Sequence, residues 1–192
     1  FRFDKFNGKG SISYPNGNKY EGDFKDGKKD GTGTYLLKYN EKYIGEFRYN
    51  KFHGKGTYYY INGDTYSGKF KDGKKNGLGT YYYAMGNKYK GDFRNDIRNG
   101  EGTFYFINGN KYDGTFNDGK RNGKGTYSYA NGNEYKGEFS DDKFYGEGTY
   151  HYSNGAYTSG IWFNNSLKTE IEIKSVFKAG NTPKVSYKEV GN

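Results

Sequence analysis

Residues 66–83 read Tyr66-Ser-Gly-Lys-Phe-Lys-Asp-Gly-Lys-Lys-Asn-Gly-Leu-Gly-Thr-Tyr-Tyr-Tyr83, and this stretch recurs along the chain. Its opening Tyr-x-Gly-x-Phe falls at Tyr20, Tyr43, Tyr66, Tyr89, Tyr112 and Tyr135, always 23 residues apart, with no insertion or deletion. Self-similarity at such a period marks an array in which each copy is one supersecondary unit. A Gly-x-Gly follows each copy, from Gly31 and Gly33 through to Gly146 and Gly148, and then a Thr-aromatic pair. A turn glycine comes next, at Gly63, Gly86, Gly109, Gly132 and Gly155, with Asn40 replacing it once. Asn is the other residue that tolerates a left-handed backbone. The last copy has Thr158 for its Tyr, keeps Gly160 and places Trp162 where the others have Phe.

Within a copy, Tyr58 and Tyr60 alternate with other residues, as do Tyr66, Gly68 and Phe70, so each stretch reads as a strand with one aromatic face. Asn62-Gly63 predicts a hairpin with a three-residue loop or a bulge. The register expected from it pairs Tyr60 with Tyr66, Tyr58 with Gly68 and Gly56 with Phe70, each glycine leaving room for a facing ring. The connection Lys71–Leu78 then returns the chain, pairing Phe70 with Gly79, Gly68 with Tyr81 and Tyr66 with Tyr83. The fold expected is all-β, an elongated twisted antiparallel sheet of stacked hairpins. A sheet with one aromatic face must curl into a trough, pair with a second copy or receive a ligand.

This repeat closely resembles the MORN repeat, and the resemblance covers residues 1 to 163. It implies a non-enzymatic module of β-hairpins, found in proteins that link membranes to the cortical cytoskeleton. It also implies a second setting, as the accessory region of a larger phosphatidylinositol phosphate kinase or SET-type methyltransferase. The array is expected over residues 1–163 and a C-terminal cap or tail over 164–192. There the glycine lattice stops, Ile171 and Ile173 alternate with polar residues, and Val185 and Tyr187 alternate again beyond Pro183. Because Phe1 starts inside a repeat, the chain reads as a fragment of a longer protein.

Composition agrees with an aromatic rather than an aliphatic core. Leu, Ile, Val and Phe supply 30 of 192 residues, and mean hydropathy is −1.20. Such values suit a disordered chain, yet 24 Tyr, 15 Phe and 1 Trp supply the buried area that disorder lacks. Cysteine is absent, which excludes disulfides, thiolate nucleophiles and Cys-ligated metals and fits a reducing, cytoplasmic setting. The net charge of +9 favours anionic partners.

Three segments, Gly22–Lys28, Gly68–Lys74 and Gly114–Lys120, read G-x-x-x-x-G-K. Each is followed by Lys29, Lys75 or Arg121 where a phosphate-binding loop needs Ser or Thr, so no nucleotide or other cofactor is expected. These segments recur every 46 residues and alternate with loops bearing Phe6, Phe52 and Phe144. Lys28, Lys29, Lys74, Lys75, Lys120 and Arg121 form a candidate edge for anionic phospholipid, which would place the protein at a peripheral membrane or cortical site. Nucleic acid is not expected, since packing accounts for the rings. His53 and His151 have no partners suited to a metal or a catalytic base, and no acid pair is singled out. The candidate protein-binding aromatics are Tyr127, Tyr129, Tyr135, Phe139, Tyr150, Tyr152 and Trp162. Their partner is expected to be another protein or a second copy, as a homodimer through the C-terminal repeats.

Overall fold

The computed structural model describes residues 5–174. Alternating aromatic strands and glycine turns resolve into fifteen β-strands, with no α-helix among the described residues. The chain divides into two units, Phe1–Ile107 and Asn108–Asn192. The first holds β1 (Gly8–Ser13), β2 (Lys19–Lys25), β3 (Lys28–Leu36), β4 (Lys42–Arg48), β5 (Lys51–Tyr59), β6 (Thr65–Lys71), β7 (Lys74–Tyr82), β8 (Lys88–Arg94) and β9 (Ile97–Tyr105). The second holds β10 (Lys111–Asn117), β11 (Lys120–Ser128), β12 (Glu134–Ser140), β13 (Lys143–His151), β14 (Tyr157–Phe163) and β15 (Ser166–Lys174). Within each unit every strand pairs antiparallel with its neighbours in sequence. The alternation at Ile171 and Ile173 lies in β15, whereas that at Val185 and Tyr187 lies outside the described residues.

Two kinds of connection alternate. Between β5 and β6, Tyr60 N donates to Asp64 O at 3.0 Å and Gly63 N to Tyr60 O at 3.0 Å, closing the three-residue loop that Asn62-Gly63 implies. Between β6 and β7 the turn has only two residues, Asp72 (φ 52°) and Gly73 (φ 89°). Two positive φ angles make it a type I′ turn, for which Asp-Gly is a preferred sequence. The basic segment read as a return loop is therefore mostly strand, with Lys71 paired to Lys74.

The register corrects the expected one. Tyr58 faces Tyr66, Gly56 faces Gly68 and Gly54 faces Phe70; on the other side Tyr66 faces Tyr81 and Gly68 faces Gly79. Glycine lies opposite glycine. A three-residue loop closed by Tyr60 and Asp64 forces this pairing, because Tyr58 and Tyr66 then stand equidistant from the loop. The room above the glycine pair is filled by the ring two residues back in the same strand. A Cβ on Gly68 would lie 2.5 Å from Tyr66 Oη, and one on Gly79 would lie 2.4 Å from it. The other glycine of the Gly-x-Gly has a different task. Gly77 takes φ +91° within a bulge between β6 and β7, where two extra residues of β7 are absorbed.

Tyr66 thus lies down on its sheet and is fully buried although no second layer covers it among the described residues. Its floor is the Gly68–Gly79 backbone, and its walls are Phe70 and Phe93, edge-on at 5.1 and 5.0 Å. Its phenol donates to Lys69 O at 2.9 Å, in the bulge. Tyr20, Tyr43, Tyr89, Tyr112 and Tyr135 are equally buried. Where Thr158 replaces the tyrosine, the neighbouring strand fills the hole: a Cβ on Gly160 would meet Leu167 Cδ1 at 2.6 Å.

Candidate functional site

Nine residues after each buried tyrosine comes a residue that roofs its ring. Phe52 stacks on Tyr43 at 4.0 Å and Phe144 on Tyr135 at 3.7 Å. In the remaining copies a cation occupies the same slot, because the negative ring face accepts either a parallel ring or a positive charge. Lys29 Nζ lies 4.0 Å from the ring centre of Tyr35, 5.4 Å from Tyr14, 5.6 Å from Tyr20 and 5.9 Å from Phe47. Lys75 Nζ lies over Tyr81, Tyr60, Tyr66 and Phe93 at 4.8, 5.5, 5.7 and 5.8 Å. Arg121 covers Tyr127, Tyr112 and Phe139 at 5.1, 5.6 and 5.6 Å.

The turn that follows a roofing residue also holds it by its backbone, without keeping to the 46-residue alternation read from the sequence. Lys29 N donates to Asn50 Oδ1 at 2.8 Å, Lys75 N to Asp96 Oδ1 at 2.9 Å and Arg121 N to Asp142 Oδ1 at 3.0 Å. Phe144 N likewise donates to Asn165 Oδ1 at 2.8 Å, and the turn in return donates a backbone N–H to the roofing residue's carbonyl, as Gly73 N does to Phe52 O. Burial holds the Lys29 and Lys75 ammonium groups below the usual lysine range; at Lys75 the fields of Asp96 and Asp64 oppose that effect.

The six candidate cations therefore divide by side of the strand. Lys28, Lys74 and Lys120 are exposed beside the turns, whereas Lys29 is buried and Lys75 and Arg121 are half-buried on the rings. Lys120 is paired with Asp141 at 2.8 Å and Arg121 with Asp142 at 3.0 Å. In the first unit the turn edge sets like charges directly opposite one another: Lys25 with Lys28, Arg48 with Lys51 and Lys71 with Lys74. Facing cations repel, and none of these six has an ion pair among the described residues.

Beside the roofed tyrosines runs a ladder of rings, most of them half-buried, with Phe104 buried and Tyr152 exposed. In the first unit Tyr58, Tyr60, Tyr81, Tyr83 and Phe104 follow one another at 4.5, 5.7, 4.5 and 5.8 Å. In the second, Tyr127, Tyr129, Tyr150 and Tyr152 follow at 4.8, 5.8 and 5.0 Å. Tyr150 lies 6.3 Å from Trp162. An open groove of about 580 Å³ is lined there by Tyr127, Tyr129, Tyr150, Tyr152 and Trp162, five of the seven candidate aromatics. Tyr135 and Phe139 lie in the core instead, and Trp162, though it lines the groove, is itself largely buried. Phe144, Arg121, Asp142 and Asn165 complete the lining. Phe144 was legible only as one of the recurrent loop phenylalanines, and Asp142 and Asn165 only as turn residues.

Nothing resembles a catalytic constellation among the described residues. His53 Nδ1 is buried without a hydrogen-bond partner, and no three His, Asp or Glu side chains converge on a metal-sized site. The groove can bind by ring stacking and by charge, and its lining offers no general acid–base pair in contact.

A solved structure shares the architecture. The TCP domain of SAS-4 (dCPAP) of Drosophila melanogaster, in complex with a proline rich motif of Ana2 (dSTIL), matches with a TM-score of 0.51 and 16% identity. The match covers 80% of this chain and 84% of that one. The TCP10 domain of Danio rerio CPAP matches over 86% of this chain and 99% of that one, with a TM-score of 0.29 and 14% identity. No curated protein matches the sequence significantly. The profile of the MORN repeat matches residues 1–19, 20–38, 43–65, 66–88, 89–111, 112–134 and 135–157. With seven matches spread over most of its length, the chain belongs to the MORN-repeat family.

Proposed function

We propose that this protein is a non-catalytic scaffold whose ring-lined face binds an extended, proline-rich segment of a partner protein. The groove of Tyr127, Tyr129, Tyr150, Tyr152 and Trp162 carries the reading. A row of closely spaced rings with accessible edges matches what a polyproline II ligand requires, and such a ligand loses little conformational freedom on binding. The proline rich motif bound to the similarly folded SAS-4 domain is consistent with this. The test is fluorescence anisotropy of a labelled proline-rich peptide with the 192-residue chain. Tyr129→Ala and Tyr152→Ala should each weaken binding about tenfold, the loss expected of an aromatic anchor. Binding that both variants leave unchanged would remove the groove from the mechanism.

The turn edge of the first unit favours a second, compatible reading, peripheral association with anionic phospholipid at the cytoplasmic cortex. Three facing cation pairs gain from an anionic surface what they lose by mutual repulsion. Sedimentation with phosphatidylserine vesicles should show binding that falls when Lys28 and Lys74 are changed to Gln. Binding independent of both would remove the edge. Self-association through the C-terminal strands belongs to the same proposal, because β15 ends the described sheet of the second unit with Ile171 and Ile173 exposed. A monomer in equilibrium sedimentation would exclude it.

A further inference from the structure

The first unit holds a largely buried lysine whose ammonium has no anion beside it. Lys29 is 8% exposed, and its ammonium has neither an ion-pair nor a hydrogen-bond partner among the described residues, only the four rings around it. Lys75, in the same slot two repeats on, has only the Tyr60 hydroxyl at 3.3 Å, with Asp96 and Asp64 acting from beyond ion-pair distance. In the second unit the equivalent Arg121 is already neutralised, its Nε donating to Asp142 Oδ1 at 3.0 Å. A buried cation is normally paired, and ring faces supply only part of what water or a carboxylate would. The rings that hold Lys29 and Lys75 are those of the face described above, so a ligand lying along it passes both ammonium groups.

We propose that the ring face of the first unit is a docking groove for an extended acidic segment of a partner protein, with one carboxylate on Lys29, one on Lys75 and an apolar side chain on Phe52 between them. The proposal rests on the ring-face reading and adds the chemistry of the occupant. Its spacing follows from the strands. Lys29 and Lys75 lie on β3 and β7, four strand steps apart, or about 19 Å at 4.8 Å per step. Phe52 lies on β5, midway. A segment rising about 3.1 Å per residue covers that span in about six residues. The recognised pattern is acid-x-x-apolar-x-x-acid.

Other anions fit less well. A bilayer presents a plane of headgroups, which suits the exposed edge lysines better than an ammonium recessed among four rings. A nucleic-acid strand carries a charge on every unit and would set phosphates against Phe52. A carboxylate on a flexible side chain can enter singly, and a charge-assisted bond in a partly desolvated site is strong.

The test uses the 192-residue chain and a fluorescein-labelled peptide of sequence Pro-Pro-Glu-Pro-Pro-Leu-Pro-Pro-Glu-Pro-Pro, read by anisotropy. Its comparisons carry Gln for both Glu, or both Glu only four residues apart. The Glu peptide should bind at least about tenfold tighter than either, and raised salt should weaken it. Lys29→Met and Lys75→Met should each remove about tenfold for the Glu peptide and nothing for the Gln peptide. Lys29→Arg, which keeps the charge, should retain binding, and thermal unfolding verifies that each variant is folded. Equal binding of Glu and Gln peptides, absence of binding, or indifference to both Met substitutions would overturn the proposal. So would recovery of the chain on phosphatidylserine vesicles in a manner sensitive to Lys29→Met. Gln-peptide binding that Tyr58→Ala or Tyr81→Ala weakens would leave the ring-face reading standing while the acidic pattern falls.

Discussion

The phenol of Tyr66 donates to the carbonyl of Lys69, three residues along the same chain, at 2.9 Å. That bond holds the ring flat over Gly68 and Gly79 and ties it to the bulge that Gly77 makes possible. Tyr20, Tyr43, Tyr89, Tyr112 and Tyr135 repeat it with Asp23, Glu46, Asp92, Thr115 and Glu138. A sheet that no other described element covers thereby obtains a core, each ring being boxed by its own backbone and by its neighbours' rings.

Substitutions at one box should therefore rank by what they remove. Tyr66→Phe loses one hydrogen bond and should cost about 1 kcal/mol. Tyr66→Ala empties the box and should cost about 3–5 kcal/mol. Gly79→Ala drives a methyl to within 2.5 Å of Tyr66 Cε2, and overpacking of this kind costs about 1–3 kcal/mol. Urea denaturation measures all three; a Gly79→Ala variant as stable as the parent would contradict the floor assignment.

The phenols also set a limit at alkaline pH. Burial, with smaller effects from Asp23 and Tyr14, pushes Tyr20 up to about 12 from an ordinary 10.0, and burial pushes Tyr60 and Tyr129 up to about 12. Tyr43, Tyr66, Tyr89 and Tyr135 are raised as well, chiefly by burial. Between pH 10 and 12 the unfolded chain loses phenolic protons that the folded chain keeps. The stabilisation is therefore full below pH 10 and declines as pH rises through that window. Thermal unfolding from pH 8 to 12 should show a steep fall in Tm above 10, and a flat profile would contradict the burial of the phenols.

Lys29 should behave in the opposite sense. Its ammonium is held below the usual lysine range by burial, so neutralising it favours the fold. Lys29→Met keeps the unbranched stem and removes the charge, and the variant should be at least as stable as the parent in the same denaturation experiment. A loss exceeding about 1 kcal/mol would show that the four rings fully compensate the charge.

Most of the repeat was legible because its two signals are local. Tyr-x-Gly-x-Phe gave the strand and its face, and Asn62-Gly63 the three-residue loop. The register was not legible, since either ring could have filled the space above a glycine. Which one does is set by the loop closure at Tyr60 and Asp64 and by the bulge opposite Lys69, which depend on backbone geometry rather than residue type. Lys29 and Lys28 read as one basic pair; adjacent strand residues point to opposite sides, so one became a roof for Tyr20 and the other stayed in solvent. Of the seven C-terminal aromatics, Tyr135 and Phe139 are core because glycine floor and ring walls enclose them, and Trp162 is buried where it replaces the Phe of the other copies.

Asp142 stands in the second unit where Asn50 stands in the first, each accepting the backbone N–H of the roofing residue. Asp142→Asn keeps that acceptor and removes the charge that neutralises Arg121. It should cost less than about 1 kcal/mol, as expected for a partly exposed ion pair. In a Lys29→Met, Lys75→Met background it should raise affinity for the Glu peptide severalfold. Unchanged affinity would mean that Arg121 is not available to the groove.

The central claim is that the ring face is a binding surface as well as a core. Trp162 is the chain's single tryptophan; it lines the groove, and its Nε1 donates to Gly148 O at 3.0 Å, so its position is fixed. Its emission, followed while a proline-rich peptide is titrated into the full chain, reports groove occupancy directly. The account expects a saturable change in intensity or wavelength that Tyr152→Ala weakens. An emission spectrum unaltered at peptide concentrations that saturate binding by anisotropy would place the ligand elsewhere and contradict it.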